Sequence, residues 1–190
     1  PTNSNLFRWG KTKSQLCPLC QANQTNKHVL SNCSSVAALD RYTKRHNKIL
    51  TLIVNSLKLD KRQDCAIYAD IKIDEIHPIS IVFESLRPDI AIIYGDTIEV
   101  LEITVCHETN LAQSKAYKIN KYEENLKANL KDNFKHYNLI INTFEISPIG
   151  LFNKFNLNSI NISWTDSFIK NLNLTAVASS YNIYCERNNM

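Results

Sequence analysis

Two acidic residues, Asp89 and Glu102, stand where a predicted β-hairpin would bring them face to face. The hairpin is indicated by two β-rich runs, residues 90–94 and 97–105, on either side of the dipeptide Gly95-Asp96, which is favoured in two-residue turns. Directly opposed residues point to the same side of a sheet, with Cβ atoms about 4.5–5.5 Å apart. Two carboxylates that close repel unless a cation lies between them, and hard oxygen ligands suit Mg²⁺. The spacing therefore predicts the site of a metal-dependent phosphodiesterase.

A solvated antiparallel hairpin can also carry two acids by chance, and the hairpin alone leaves that interpretation open. Its context favours a function. Asp89 follows Pro88 at the start of its strand, and Glu102 lies between Leu101 and Ile103 in an otherwise mostly apolar run. A charged residue in a strand covered on both faces is seldom there for stability.

A second set of residues has the spacing of metal ligands. The pattern is Cys17-x2-Cys20-x7-His28-x4-Cys33, which is typical of a closed, structural zinc site. We favour zinc over free thiols here, because Cys17-Pro18-Leu19-Cys20 is a typical metal-holding turn and His28 and Cys33 can both lie on a short following helix. A segment this small has almost no core and would need the metal to fold. The other three cysteines, Cys65, Cys106 and Cys185, are scattered. This usage indicates a reducing compartment, cytosolic or nuclear.

Composition predicts one core with a small satellite, since the chain has 190 residues of which 44% are hydrophobic. No run of eighteen apolar residues and no leader-like start occurs, which argues against a membrane protein. The opening Pro1-Thr2-Asn3-Ser4 suggests a domain excised from a longer protein. Residues 1–62 hold eleven Lys and Arg against two acids, a net +9, while residues 63–190 hold eleven against sixteen, a net −5. This asymmetry suits a nucleic-acid enzyme, although basic faces are often only solvated.

The periodicity of apolar residues predicts an α/β domain with a mixed sheet and flanking helices. The predicted helices cover residues 40–59 (capped by Asp40), 110–131 and 164–177 (beginning near Ser163 or Thr165); the predicted strands, besides the hairpin, cover 71–74, 79–83 (a strand or a turn) and 138–145, with breaks at 61–64, 77–78 and 148–150. The buried stripe predicted for the second helix is Ala112, Ala116, Ile119, Leu126 and Leu130. By helical angle, Lys115 and Lys118 lie nearer this stripe than Lys121. His46, on the first helix, is either a core histidine or a phosphate contact.

Four motifs in series resemble a known family. They are the Cys/His cluster, Arg45-His46-Asn47, the run Arg87-Pro88-Asp89 with Glu102 after twelve intervening residues, and Lys118-x-x-Lys121-Tyr122. Together they resemble the PD-(D/E)xK nuclease core, and more narrowly the restriction-like endonuclease, preceded by a CCHC zinc knuckle, at the C-terminus of site-specific non-LTR retrotransposon proteins. Ordinary restriction enzymes have Lys two residues after the second acid, where this chain has Thr104. The family pattern moves that lysine to the following helix.

The resemblance implies a basic arm at 1–14, a zinc knuckle at 15–40 and a nuclease domain at 41–190. Asp89 and Glu102, with the backbone carbonyl of Ile103, would hold Mg²⁺ or Mn²⁺, and Lys118, Lys121 or Lys115 would orient water or steady the phosphate. The DNA contacts implied are Lys44, Arg45, His46, Asn47, Arg87 and Lys115.

The biological role implied is nicking of a chromosomal double-stranded DNA target in the nucleus to prime reverse transcription. The element RNA would be a further partner, and the reverse transcriptase would lie in the same polyprotein. Two alternatives stay open: an inactive nuclease-like fold that binds nucleic acid or acts as a scaffold, and a zinc-knuckle RNA-binding protein, which leaves the hairpin unexplained.

Overall fold

The structure is a computed structural model. It describes residues 1–59, 65–71, 80–83, 86–133, 136–153, 162 and 164–189. The breaks predicted at 61–64 and 77–78, and most of the strand predicted at 71–74, lie outside these residues.

The protein is an α/β domain with a mixed four-stranded sheet and a Cys/His cluster near its N-terminus. The helices are α1 (Asn3–Arg8), α2 (Val36–Leu59), α3 (Ser80–Phe83), α4 (Leu111–Asn133) and α5 (Asp166–Cys185), with a π-helix at His28–Asn32 and a 3₁₀ turn at Glu108–Asn110; the strands are β1 (Cys65–Ala69), β2 (Ile90–Tyr94), β3 (Thr97–Val105) and β4 (Asn138–Ile146). The sheet order is β1-β2-β3-β4. The first three strands are antiparallel neighbours and β4 is parallel to β3, since α4 carries the chain back between them.

Helices cover both faces of this sheet. On one face α2 and α5 pack against alternate residues of the hairpin, with Ile53, Ile90 and Leu101 almost fully buried. On the other face α3 and α4 pack against the residues in between, with Val100 and Tyr122 in that core. The hairpin is therefore mostly apolar on both sides, and a charged side chain buried within it must find a specific partner, as Glu99 does in Asn142 at 2.6 Å.

Helix α2 begins earlier than predicted, so the prediction that Asp40 caps it is wrong. The cap is Ser35, whose hydroxyl accepts a hydrogen bond from the backbone N–H of Ala38 at 3.3 Å, as N-cap serines do. The predicted apolar face of the helix is confirmed, with Ile49, Leu50 and Ile53 all buried.

The stripe predicted for α4 is confirmed at Leu126, which is buried, and wrong at Ala112 and Ala116, which are exposed. Ile119 is half-buried, and the side chain of Leu130 lies outside the described residues. Tyr122, which was not in the stripe, is buried, and half-buried Lys118 lies one turn before it. Alanine is a weak guide to the buried side of a helix, because its small side chain suits either face.

The remaining elements agree in part with the sequence. The strand at 138–145 and the N-terminus of the last helix are confirmed, with the Thr165 hydroxyl accepting from Phe168 N–H at 3.2 Å. The strand interpretation of 79–83 is wrong, since residues 80–83 form a helical turn. Strand β1 was not predicted, and Ile71, in the predicted strand at 71–74, lies in a turn. Among the described residues, none of the helices has the length and apolar character needed to cross a membrane.

The two faces of the sheet give a first prediction. Leu126→Ala should lower the free energy of unfolding by about 2–5 kcal/mol, since it removes a fully buried side chain from the α4 face. Leu174→Ala on α5 is the matched control, because Leu174 is 55% exposed and should change stability by less than about 0.5 kcal/mol. Chemical denaturation of the two variants measures the difference, and equal effects would contradict the observed orientation of α4.

Candidate functional site

The carboxylates of Asp89 and Glu102 lie together at the open end of the hairpin. The register pairs Tyr94 with Thr97 and Ile90 with Leu101, which confirms the two-residue turn. Just beyond the last pair, the backbone N–H of Asp89 donates to Glu102 Oε1 at 3.0 Å. In return, the N–H of Ile103 donates to Asp89 Oδ2 at 2.8 Å. Each carboxylate is thus held by the backbone of the opposite strand.

Helix α4 supplies two groups that hold Glu102. Lys118 Nζ donates to Glu102 Oε2 and lies 3.9 Å from Asp89 Oδ2, so one ammonium contacts both acids. Tyr122 Oη donates to Glu102 Oε1 at 2.6 Å. The two residues are four apart, which places them on the same side of a helix. Tyr122 was quoted in the family motif but had no assigned role, and its spacing from Lys118 is the sequence signal that points to it.

Helix α2 supplies a third partner, His46, from the opposite face of the sheet. Its Nε2 lies 3.4 Å from Asp89 Oδ2 and 3.3 Å from the carbonyl oxygen of Ile103. Its Nδ1 lies 3.2 Å from Asn47 Oδ1. The structure supports the first of the two interpretations of His46, a histidine bonded to its neighbours. Those neighbours belong to the carboxylate site itself.

Burial and charge act in opposite directions on the pKa values of the residues in the carboxylate site. Burial alone would raise the pKa of Asp89, but the hydrogen bond and charge of His46, with further help from Lys118, bring it below its ordinary value. Burial would likewise lower the pKa values of His46 and Lys118, and the neighbouring carboxylates raise both above their ordinary values. The pKa of Tyr122 is raised, first by burial and then by the Glu102 charge. Asp89 and Lys118 are therefore charged at neutral pH, and His46 keeps its proton to a higher pH than an ordinary imidazole.

The carboxylate site is buried at Glu102 and accessible to solvent at Asp89. The Glu102 side chain is 1% exposed, whereas those of Asp89, Lys118 and His46 are 15%, 24% and 25% exposed. A ligand arriving from solvent would therefore meet Asp89, Lys118 and His46 first. Oxygen donors of this kind suit Mg²⁺ or Mn²⁺.

Other residues predicted for this site lie further out. The ammonium of Lys121 sits 5.1 Å from the centre of the Tyr122 ring rather than at the carboxylates. Arg87 pairs with Asp70 at 2.5 Å. Lys44 pairs with Asp40 at 2.7 Å on the surface, and Lys115 is half-buried one turn before Lys118.

Arg45 requires a correction. Arg45 was predicted on the polar surface of α2, but it is 2% exposed. Its Nη1 donates to Ser180 Oγ on α5 at 3.0 Å. Its position follows from the packing of α5 on α2, which the helical pattern of α2 alone does not contain.

The Cys/His cluster has the dimensions of a metal centre. The ligand atoms of Cys17, Cys20, His28 and Cys33 all lie within 4.8 Å of one another. The Sγ atoms of Cys17 and Cys33 are 3.9 Å apart, those of Cys20 and Cys33 are 3.7 Å apart, and Cys20 Sγ is 3.3 Å from His28 Nε2. Sulfurs in a tetrahedral site with Zn–S bonds of about 2.3 Å are about 3.8 Å apart, so these four residues could bind a metal such as zinc.

The cluster is attached to α2 through Tyr42. Tyr42 Oη donates to the carbonyl of Val29 at 2.8 Å and accepts from the N–H of Cys33 at 3.1 Å. Burial raises the pKa of Tyr42 to about 12, so the hydroxyl keeps its proton. Because Tyr42 and His46 are one turn apart on α2, the same helix connects the Cys/His cluster to the carboxylate site.

The N-terminal segment is packed against the cluster and the C-terminus. The backbone N–H of Asn3 donates to Gln24 Oε1 at 2.9 Å, and Gln24 Nε2 donates to Asn188 Oδ1 at 2.9 Å. Arg187 Nη2 donates to the carbonyl of Pro1 at 2.9 Å. The chain ends therefore meet at the cluster.

Among known proteins, no family model matches this chain and no curated protein matches it in sequence. A function must therefore be inferred from the geometry of the two sites.

The metal centre gives the second prediction. The protein should carry one Zn²⁺ per chain, and Cys20→Ser should lose it because only three of the four ligands remain. Amide hydrogen exchange should then accelerate at residues 17–33 while the sheet stays protected. Metal analysis and exchange measurements check this, with Cys185→Ser as the control, since Cys185 is an exposed cysteine outside the cluster. Full zinc content in Cys20→Ser would contradict the assignment.

The third prediction concerns His46 in magnesium-free buffer. The pKa of His46 is raised in the folded protein. Its pairing with Asp89 therefore stabilises the protein fully below the pKa of the unfolded state, which is about 6.5. This stabilisation is lost as pH rises through the pKa of the folded state. The pKa of Asp89 is lowered in the folded protein. Its contribution to stability is therefore full above the pKa of the unfolded state, about 3.9, and is lost as pH falls through the pKa of the folded state. Asp89→Asn should lower the pKa of His46, because burial is then opposed only by the hydrogen bonds with Asn47 and the Ile103 carbonyl. Proton NMR titration measures both proteins; an unsubstituted His46 that titrates below about 6 would refute the pair.

Proposed function

We propose that this protein is a metal-dependent DNA endonuclease of the restriction-like PD-(D/E)xK class. The observation that carries the proposal is the convergence of Asp89, Glu102 and Lys118, with one ammonium contacting two carboxylates at the open end of a buried hairpin. A pair of acids with a lysine is the minimum set that phosphodiester hydrolysis of this class requires. The placement of the lysine on α4 agrees with the resemblance to nucleases of site-specific non-LTR retrotransposons.

The residues present fit a hard divalent cation. Asp89 and Glu102, with the carbonyl of Ile103, would hold Mg²⁺ or Mn²⁺ through oxygen atoms. When bound, such a metal lowers the pKa of a coordinated water and neutralises charge on the phosphate. The electrostatic repulsion between two adjacent carboxylates explains why a cation is favoured there.

The protein residues then have separate tasks. Lys118 neutralises both carboxylates in the metal-free protein, and beside a substrate its charge steadies the scissile phosphate or orients the attacking water. His46 holds Asp89 and the Ile103 carbonyl in place, and Tyr122 holds the inner oxygen of Glu102. Two helices thus orient the two acids before any ligand arrives, which lowers the cost of organising the site.

The zinc knuckle and the basic N-terminal third support a nucleic-acid substrate. The net +9 of residues 1–62 is suited to phosphates, and the net −5 of the remainder contains the metal-binding acids. The proposed substrate is double-stranded DNA at a chromosomal target in the nucleus. The element RNA and a reverse transcriptase in the same polyprotein are the proposed partners, and the nick would prime reverse transcription.

The alternative is a nuclease-like fold that has lost catalysis and serves as a nucleic-acid-binding or scaffolding module. Loss of an acid or of the lysine would favour that interpretation, and this chain has all three groups in contact. The two functions differ in one measurement: the inactive module would bind DNA but leave it intact in Mg²⁺ and in Mn²⁺.

The fourth prediction is that the protein nicks supercoiled plasmid with Mg²⁺ or Mn²⁺ and stops with EDTA. Asp89→Asn and Glu102→Gln should abolish nicking while the fold and DNA binding persist. Lys118→Met should cost about 10²-fold or more in rate. Lys121→Met is the matched comparison and should cost far less, since its ammonium lies over the Tyr122 ring. Undiminished nicking by Glu102→Gln would end the catalytic interpretation.

A further inference from the structure

Arg45 carries a buried positive charge that no described carboxylate balances. Its Nη1 donates to Ser180 Oγ at 3.0 Å and its guanidinium lies 5.3 Å from the centre of the Tyr42 ring. Its Nε has no hydrogen-bond partner among the described residues. Burial lowers the pKa of Arg45 to about 10, so it is still charged at neutral pH. Buried charges in proteins are normally paired, and a hydroxyl with an aromatic ring leaves this one without an anion.

Arg45 lies in the wall of a groove of about 370 Å³ between α2 and α5. Three further basic residues of α2 line the same groove, together with the acids Asp40 and Glu186. Two are occupied, since Lys44 pairs with Asp40 at 2.7 Å and Arg41 pairs with Glu186 at 3.0 Å.

Lys48 is the basic residue of this groove that stays available. It is exposed and takes part in none of the ion pairs between described residues. It lies three residues after Arg45, and residues three apart share one side of a helix. The groove therefore presents one buried and one exposed cation, neither neutralised by the protein.

A second stretch of the groove lies further along α2. This stretch of about 580 Å³ shares Lys44 and Lys48 with the first and is also lined by Asn47 and Thr51. Asn47 Oδ1 lies 3.2 Å from Nδ1 of His46, which in turn contacts Asp89. Asn47 therefore lies between His46 of the carboxylate site and the basic residues that line the groove.

We propose that this groove between α2 and α5 binds a phosphodiester group of the nucleic-acid strand, with Arg45 in its wall and Lys48 at its rim as the charge partners. The planar guanidinium matches the geometry of a phosphate, and the run of polar and basic side chains matches a strand with regularly spaced anions. The inference rests on the proposed function, because it takes the nuclease's substrate as the ligand. It adds a second contact site, between α2 and α5, to the carboxylate site.

The test measures binding of a fluorescent oligonucleotide duplex by anisotropy in magnesium-free buffer, over a series of salt concentrations. Lys48→Gln should weaken binding by about tenfold at low salt and reduce the slope of log K against log salt by about 0.9, as expected for the loss of one phosphate contact. Arg45→Met should have a similar effect on the slope. The oligonucleotide should also raise the melting temperature of Arg45→Met less than that of the unsubstituted protein.

Lys170→Gln is the matched control, since Lys170 is an exposed lysine of α5 that lines neither stretch of the groove. Its slope should stay that of the unsubstituted protein. If Lys48→Gln and Arg45→Met both bind with unchanged affinity and slope, or if Lys170→Gln loses as much as Lys48→Gln, the groove is not a phosphodiester site. A failure of the proposed function is distinct from this result: it would be a protein that binds DNA through the groove and never nicks it. Lys48→Gln alone decides the matter if Arg45→Met does not fold.

Discussion

The compensation of negative charge at the end of the hairpin is the constraint on which the rest of the structure depends. Glu102 is almost completely buried in a strand that is mostly apolar on both faces, and Asp89 lies beside it. Two carboxylates in that position are tolerable only with cations and hydrogen-bond donors around them. Lys118 supplies the charge from one face of the sheet and His46 supplies a partner from the other. Helices α2 and α4 must therefore cover the two faces of the sheet at the position of Asp89 and Glu102.

The Cys/His cluster takes part in this arrangement through α2. Ser35, which caps the helix, lies two residues after the ligand Cys33, and its hydroxyl is 3.3 Å from the Cys33 sulfur. One further contact, from Tyr42, holds the helix to the cluster. The segment that brings these four potential metal ligands together thus also sets where α2 begins, and α2 carries His46. The proposed nuclease site and the proposed phosphodiester groove then lie on two sides of a single helix.

Local patterns predicted the hairpin because its information is local. Gly-Asp between β-rich runs determines the turn, the turn determines the register, and the register places Asp89 beside Glu102 without reference to the rest of the chain. The same reasoning failed where two local signals compete. Asp40 is a good capping residue, but Ser35 lies earlier and the helix extends to it. Ala112 and Ala116 fitted a helical stripe, yet the partners of the large side chain Tyr122 decided which face of α4 is buried.

By itself, the amino-acid sequence determined the opposed carboxylates, the spacing of the four Cys/His ligands, most of the helices and strands around them, and the preference for Lys118 over Lys121. Each of these depends on spacings within one turn, one helix or one hairpin. Only the tertiary structure decided that His46 contacts Asp89, that Tyr122 holds Glu102 and that Arg45 is buried against Ser180. Those contacts join residues from 20 to 135 positions apart. They exist because both faces of the sheet had to be covered, and the packing of whole helices then chose which side chains meet.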